Sequence, residues 1–258
     1  MMSKSPKTKL HKITSWLDDY LNHDSIADYP NAHNGLQVEN SGNVHVVAAA
    51  VDASLDTIRK AAEENVDLLI VHHGLYWQGV EMLRGSWKEK CKLLLDNNIA
   101  VYSSHIPLDI HPEVGNNILL AKALGMTEIE HCIPWKNVNI GVKGKLNKNR
   151  EQLKHSLTEL LELEPFTCFR GENEIDELYL ITGGAGTHLK EVYELGGKNF
   201  LSGEGSQWTV PYAEEKDMNY LLANHYATET FGVKELSKII HEKFSTTQPT
   251  FFNSINQL

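Results

Sequence analysis

The chain has 258 residues, 41% of them hydrophobic and 22% charged, with a formal net charge of -10. That length supports a full hydrophobic core, in one large domain or two small ones. The acidic balance argues against nucleic acid as a partner, which needs a basic face, and the longest apolar runs are strand-sized, far short of the roughly 20 residues of a membrane helix, so no membrane partner is expected.

Apolar residues at Leu10, Ile13, Trp16, Leu17 and Leu21 predict a helix over 9–21. A loop with Pro30, Asn34 and Gly35 follows, then a buried, β-branched strand over 44–51. Ser54 caps a helix running to about Asn65. The run VDLLIV (66–71) is a second buried strand, ending in His72, His73 and Gly74. After a helix over 87–95, residues 99–103 form a third strand that ends in Ser104 and His105. A helix over 116–124 closes at Gly125. Strands alternating with helices predict a mostly parallel sheet covered on both faces.

The middle of the chain breaks that rhythm. Residues 135–146 read as a strand or hairpin, 151–163 as a helix, and 167–170 and 178–182 as strands; 135–163 reads as a crossing element between two lobes. The glycines of TGGAG (182–186) precede a helix over 189–195. They suit a structural tight turn or a phosphate cradle, without the lysine of a P-loop. The alternation then resumes with a strand over 199–202, a helix over 209–216, a strand over 220–223 ending in Asn224 and His225, and a long helix over 228–243. The expected fold class is therefore α/β, in two lobes with mixed, mostly parallel sheets flanked by helices; the expected division is 1–130 and 131–258, and the metal cleft expected between two similar lobes rests on the resemblance given below. The polar first eight residues and the last ten (249–258) read as loose ends.

Three cysteines, Cys91, Cys132 and Cys168, are too few and too widely spaced for a disulfide framework or a CxxC zinc motif. With no apolar leader at the N-terminus, they predict a cytoplasmic, reducing environment. The basic run Lys143, Lys145, Lys148 and Arg150 reads as a solvated loop.

Thirteen histidines are a large stock, and their placement carries the chemistry. Three predicted strands end in metal-ligand types: LIVHHGLYW with His72 and His73, SSHIPLDIH with His105 and Asp109, and LLANHYATETFG with His225 and Glu229. In open α/β sheets, ligands bind at the carboxyl ends of strands. Imidazole and carboxylate donors together suit zinc, iron, manganese or nickel. Successive strand residues point to opposite faces, so His72 and His73 serve two neighbouring ions unless one turns as the strand ends. His225 and Glu229 share a face if a helix has begun by Tyr226. His105 and Asp109 have the same spacing, but Pro107 predicts a loop there. Glu229 can bridge two ions. In SGEGSQW (202–208), Glu204 is a candidate catalytic acid or base near the metals, or a helix-capping carboxylate. Trp77 walls the site or fills core, core being favoured. His111, His131, His155, His188 and His241 receive no role.

On these residues the sequence resembles the NGG-interacting-factor-three family, many of whose members are labelled GTP cyclohydrolase I type 2. The stretches carrying the likeness are NGLQVEN (34–40), residues 51–77, residues 99–125 and LLANHYATETFGVKEL (221–236). His33 stands where the family pattern has Asp, and Asn224 where Gly is usual; Ser206 and Gln207 replace an expected histidine. The resemblance implies a short-form member with a two-metal centre ligated by His72, His73, Asp109, His225 and Glu229, and by His105. It also implies two α/β lobes facing each other across a cleft, and ring-shaped self-assembly, usually a homohexamer. The implied activity is dinuclear-metal-dependent hydrolysis of a nucleotide such as GTP, or a related cyclic small molecule; the other role left open is metal-binding regulation or scaffolding without turnover.

Overall fold

The computed structural model of the chain describes residues 8–244 and 246–254. These divide into two compact units. One takes the chain up to Leu108 and again from Gly232 onward; the other takes Asp109–Phe231.

The first unit opens with β1 (Thr8–Lys9), α1 (Leu10–Tyr20), β2 (Gly35–Val38) and β3 (Asn43–Val44), β1 pairing with β3. Its centre is β4 (Val47–Asp52), α2 (Leu55–Glu63), β5 (Leu68–His73), α3 (Gly85–Asp96) and β6 (Ala100–Ser103). The strand sequences VAAAVD, LLIVHH and AVYS are almost wholly apolar before their last residues, as strands covered on both faces must be. Alternate residues Ala48, Ala50, Leu69, Val71 and Val101 point one way and meet Ile58 and Ala61 of α2 and Leu94 of α3 in one core. Each Leu, Ile or Val so buried stabilises by roughly 1.5–3 kcal/mol. α2 starts where the sequence says it should: Ser54 Oγ accepts from the Thr57 amide at 3.1 Å.

The chain passes through α4 (Ile106–Asp109) into the second unit, which contains α5 (Asn116–Ala123), β7 (Thr127–Trp135), β8 (Val138–Asn149), α6 (Arg150–Leu161), β9 (Phe166–Phe169), β10 (Glu174–Ile181), α7 (Leu189–Glu194), β11 (Asn199–Ser202), α8 (Thr209–Glu215), β12 (Asn219–Leu222) and α9 (His225–Thr228). Helix α10 (Thr230–Phe244) leads back to the first unit, where β13 (Thr250–Phe251) pairs parallel with β4. The first sheet has the order β13-β4-β5-β6-β2, parallel except for β2 at its edge. The second has the order β7-β8-β10-β11-β12-β9, with β10, β11 and β12 parallel and the other pairings antiparallel.

Several expectations need correction. The compact units divide after Leu108 rather than at residue 130, because Thr127–Trp135 is the first strand of the second sheet and the C-terminal segment returns to the first. Residues 135–163 are not a crossing element: β8 pairs with both β7 and β10, and Leu153 and Leu157 of α6 lie in the second unit's core. NGLQV is not all loop, since Gly35–Val38 forms the antiparallel edge strand β2. Ile106–Asp109 is a helical turn, in which Pro107 sits in the first turn, where its missing N–H costs nothing. Of the expected loose ends, residues 1–7 and 255–258 lie outside the described residues, whereas Thr8 and Thr250–Phe251 are paired in strands.

Candidate metal sites

In the first unit, β5 and β6 run parallel in register, Leu68 opposite Ala100 and Val71 opposite Ser103. Their carboxyl ends therefore emerge at one edge of the sheet. His72 is fully buried and His105 is 7% exposed. The ring centroids stand 4.8 Å apart for His72 and His73, 4.9 Å for His72 and His105, and 5.6 Å for His73 and His105. One ring nitrogen from each lies within 4.8 Å of the other two. Consecutive strand residues could not bring their rings so close from opposite faces, so one ring of the pair turns as β5 ends.

Each of these rings is oriented by an acceptor. His72 Nδ1 faces the Ser104 carbonyl oxygen at 2.9 Å. His73 Nδ1 faces Asp52 Oδ1 at 2.9 Å, and His105 Nδ1 faces Asp28 Oδ1 at 2.8 Å. Carbonyl and carboxylate oxygens only accept, so each Nδ1 donates its N–H and Nε2 is the ring atom left to meet a ligand. This is the arrangement metal-ligating histidines adopt.

The acceptors are themselves held. Asp28 is bonded by Asn34 Nδ2 at 2.8 Å and by the Ile106 amide at 3.0 Å, while Asn34 Oδ1 receives the His105 amide at 2.8 Å. Burial pushes the Asp28 carboxyl up, but the hydrogen bond and charge of His105 together with Asn34 and the Tyr29 amide pull it below the usual range. Behind Ser104, its hydroxyl meets His23 Nε2 at 2.9 Å, and Asp18 lies 3.3 Å from His23 Nδ1. Tyr102 donates to the same Asp18 oxygen at 2.8 Å. The geometry is that of a Ser–His–Asp relay, but Ser104 is fully buried, so the chain of bonds fixes the strand end instead of presenting a nucleophile. Gln37 accepts from the Leu75 amide at 2.7 Å and pins the backbone just past the histidines. The segment NGLQ thus acts through Asn34 and Gln37.

Trp77 does not fill core. It is half-buried, with its ring 4.6 Å from that of His105 and 5.2 Å from that of His73. Tyr29 stands edge-on to it at 6.1 Å. Together they wall one side of the histidines.

In the second unit the donors are mostly carboxylates. Glu229 is 2% exposed and Asp109 is 7% exposed, and one oxygen of each lies within 4.8 Å of the other. Asp109 Oδ1 accepts from Asn116 Nδ2 at 2.8 Å and from Thr182 Oγ1 at 3.4 Å. His225 sits at the start of α9, where Asn224 caps the turn by accepting from the Ala227 amide at 2.9 Å. Its Nε2 lies 3.1 Å from Glu229 Oε1 and its Nδ1 2.9 Å from Glu204 Oε2. Burial works against a charged His225, but the hydrogen bonds and charges of Glu229 and Glu204 outweigh it and push the ring up to about 9. Glu204 is therefore placed as the acceptor that orients His225, the part that Asp52 and Asp28 play for their histidines; it does not cap a helix.

The glycines of TGGAG make room for these groups. Gly183 has φ +69°, and a Cβ there would collide with Glu229 Oε1. Its amide donates to Thr228 Oγ1 at 3.0 Å. The structural turn holds, and no phosphate cradle is needed to explain it. The sequence reading missed Asp28, Asp52, Asn116 and the Asp18–His23 pair. Only Asp52 had a legible signal, as the polar end of an apolar strand whose register sets it opposite His73.

Residues 8–257 match the pattern of the family described as Duf34/NIF3 (NGG1p interacting factor 3). The chain belongs to this family. A Pyrococcus abyssi relative named "GTP cyclohydrolase 1 type 2 homolog" is 40% identical over 237 residues, which cover 90% of this chain and 93% of that protein. Among solved structures, the protein ybgI, described as of unknown function, superposes with a TM-score of 0.90 at 31% identity, covering 97% of this chain and 100% of that one. TTHA1606 from Thermus thermophilus follows the same fold at a TM-score of 0.86 and 33% identity, over 97% and 100% of the two chains. This NIF3-family chain is thus similar to its relatives across both compact units. Among the described residues, no helix is long and apolar enough to cross a membrane.

Proposed function

We propose that this chain is a cytoplasmic metal-dependent hydrolase that holds two divalent ions through His72, His73, His105, Asp109, His225 and Glu229 and acts on a nucleotide or a related cyclic substrate. The observation that carries the reading is the orientation of four imidazoles. His72, His73, His105 and His225 each have Nδ1 against an oxygen acceptor, at 2.8–2.9 Å. What adds to that orientation is convergence: one ring nitrogen each from His72, His73 and His105 lies within 4.8 Å of the other two. Nitrogen and carboxylate donors in this mixture suit zinc, iron, manganese or nickel. When bound, a pair of such ions acidifies water near neutral pH and polarises an electrophilic centre.

The chain's own residues do the positioning. Ser104, Asp52, Asp28 and Glu204 hold the proton on Nδ1 of the four rings. Asn116 and Thr182 turn Asp109 Oδ1, and Gly183 leaves the space that Glu229 occupies. Trp77 and Tyr29 shield the histidines from bulk water. The nucleotide substrate rests on the name carried by the curated relatives, and three free cysteines support a reducing compartment. Self-assembly into a hexameric ring is part of the same proposal; light scattering of this 29.1 kDa chain would read six copies per particle.

The test joins metal content to turnover, on untagged protein purified without chelator. About two ions per chain, with hydrolysis of GTP or of a nucleotide and cyclic-amide panel that is lost in Glu229→Ala, supports the hydrolase. The same metal content with no turnover on any member of the panel moves the function to metal-dependent regulation or scaffolding. Substoichiometric metal, unchanged in a His73→Ala, Glu229→Ala double variant, ends the dinuclear reading.

A further inference from the structure

Beside His73 the first unit carries a cavity of about 750 Å³, within the roughly 300–1,000 Å³ of small-molecule sites. Its lining brings together Trp77 and Trp87, the ammonium of Lys90, the hydroxyls of Ser54 and Ser86, and His73 itself. Both tryptophans are half-buried and braced: Tyr29 stands edge-on to Trp77 at 6.1 Å, and Tyr76 edge-on to Trp87 at 5.8 Å. Rings fixed in this way offer a flat aromatic surface at little cost in side-chain entropy.

The charges on the wall are not equivalent. Asp56 is engaged by Lys60 Nζ at 2.7 Å, and Asp52 by His73 Nδ1 at 2.9 Å. Glu81 is exposed to solvent. Lys90 is half-buried and makes no ion pair among the described residues; Glu81 and Asp52 act on it only at a distance. Burial pulls its pKa below the usual lysine value. A partly desolvated ammonium without an acceptor has most to gain from an incoming anion. A simple aromatic acid would leave most of 750 Å³ empty, whereas aromatic walls, hydroxyls and a cation together match a base, a sugar and a phosphate.

We propose that this cavity is the pocket for a mononucleotide, its base on the tryptophan wall and its phosphate on Lys90. The proposal rests on the hydrolase reading only for what happens to the ligand beside His73. The pocket itself needs no metal.

Calorimetric titration of the full chain, as purified and after chelation, with guanosine 5′-monophosphate and with guanosine separates the two readings. Both preparations are expected to prefer the monophosphate by about ten-fold or more, the worth of one charge-assisted contact. Lys90→Met, which keeps the buried methylenes, is expected to erase most of that preference and leave guanosine binding and metal content unchanged. Lys90→Arg restores the preference, and Trp77→Leu weakens both ligands alike. Equal binding of the two ligands, a preference that survives in Lys90→Met, or no binding by either preparation overturns the proposal. Monophosphate binding confined to the metal-loaded protein also overturns it, because the ions rather than Lys90 would then read the phosphate. Lys90-dependent binding in a protein that holds no metal and turns nothing over keeps the pocket and removes the hydrolase.

Discussion

The two units place metal-ligand side chains by different means. In the first, three imidazoles ride on the ends of neighbouring parallel strands, and the ladder that pairs Val71 with Ser103 aligns His72, His73 and His105. In the second, the donors come from turns. Glu229 and His225 flank a single helical turn, that turn begins at Asn224 with φ +71°, and its neighbour Gly183 has φ +69°. The first cluster consists of imidazoles whose Nδ1 atoms each face an oxygen acceptor. The second is built around the buried carboxylates of Asp109 and Glu229, and without a metal it holds a proton on His225 between Glu229 and the exposed Glu204. Strand ends give preset geometry from ordinary backbone, whereas turns deliver charged groups closely but need special backbone to do so.

The largest expected effect tests that need. Gly183→Ala puts a Cβ where Glu229 Oε1 lies and forces a side chain into a left-handed conformation. Gly74→Ala in the first unit meets the amide end of the Gln37 side chain, whose displacement costs its bond to the Leu75 amide but touches no candidate ligand. We expect Gly183→Ala to weaken metal retention by more than about 100-fold, beyond the usual loss on removing an outer hydrogen bond. Gly74→Ala should cost about ten-fold or less by the same scale. Competition with a fluorescent chelator measures both, and equal losses would abolish the distinction between strand-held and turn-held donors.

The acceptors behind the rings sharpen the comparison. The side chain of Asp52 is 34% exposed, whereas that of Glu204 is 68% exposed. Removing the more enclosed acceptor frees its ring further. Asp52→Ala should weaken metal binding by about 10–100-fold, and Glu204→Ala by less than about ten-fold. If Glu204→Ala instead abolishes turnover with metal content intact, Glu204 is an acid or base after all and not an orienting group.

These contrasts also explain what the sequence disclosed. The core strands were legible because four or more apolar residues in a row, bounded by polar ends, admit little else. The candidate histidine ligands were legible because each stands at or just past the end of such a run, and Asp109 and Glu229 because each follows one of them by four residues. The acceptors were not: Asp28 reaches His105 from a loop 77 residues away, and His23 reaches Ser104 across 81. Contacts of that separation leave no periodic trace. β2 escaped for a related reason, since its four residues begin at a glycine and occupy an edge. The return of the C-terminus to β4 rests on two paired residues, too short a strand to announce itself.

The charge state of the second cluster predicts a pH dependence confined to metal-free protein. A histidine at about 9 in the folded chain and about 6.5 when unfolded binds its proton more tightly in the native state. Its contribution is fully present below the unfolded value and is lost as pH rises through about 9. The urea midpoint of chelated protein should therefore fall between these pH values. The slope should disappear in His225→Gln. In metal-loaded protein the ion replaces the proton and the slope should be absent. A slope that persists in His225→Gln assigns it elsewhere.

The smallest effect concerns Asn224, where the resemblance has glycine. Its φ is +71°, a conformation only a residue without a Cβ adopts freely. Its side chain offsets part of that strain by accepting from the Ala227 amide. Asn224→Gly trades a lost cap for relieved backbone and should change stability by only a few tenths of a kcal/mol. Asn224→Ala loses the cap and keeps the strain, and should cost about 1–3 kcal/mol in thermal or urea unfolding. No corresponding residue exists at the end of β5, where neither His72 nor His73 has a positive φ. If Asn224→Ala proves as mild as Asn224→Gly, the backbone at His225 is relaxed, and turn-placed ligands carry no conformational cost that strand-placed ones avoid.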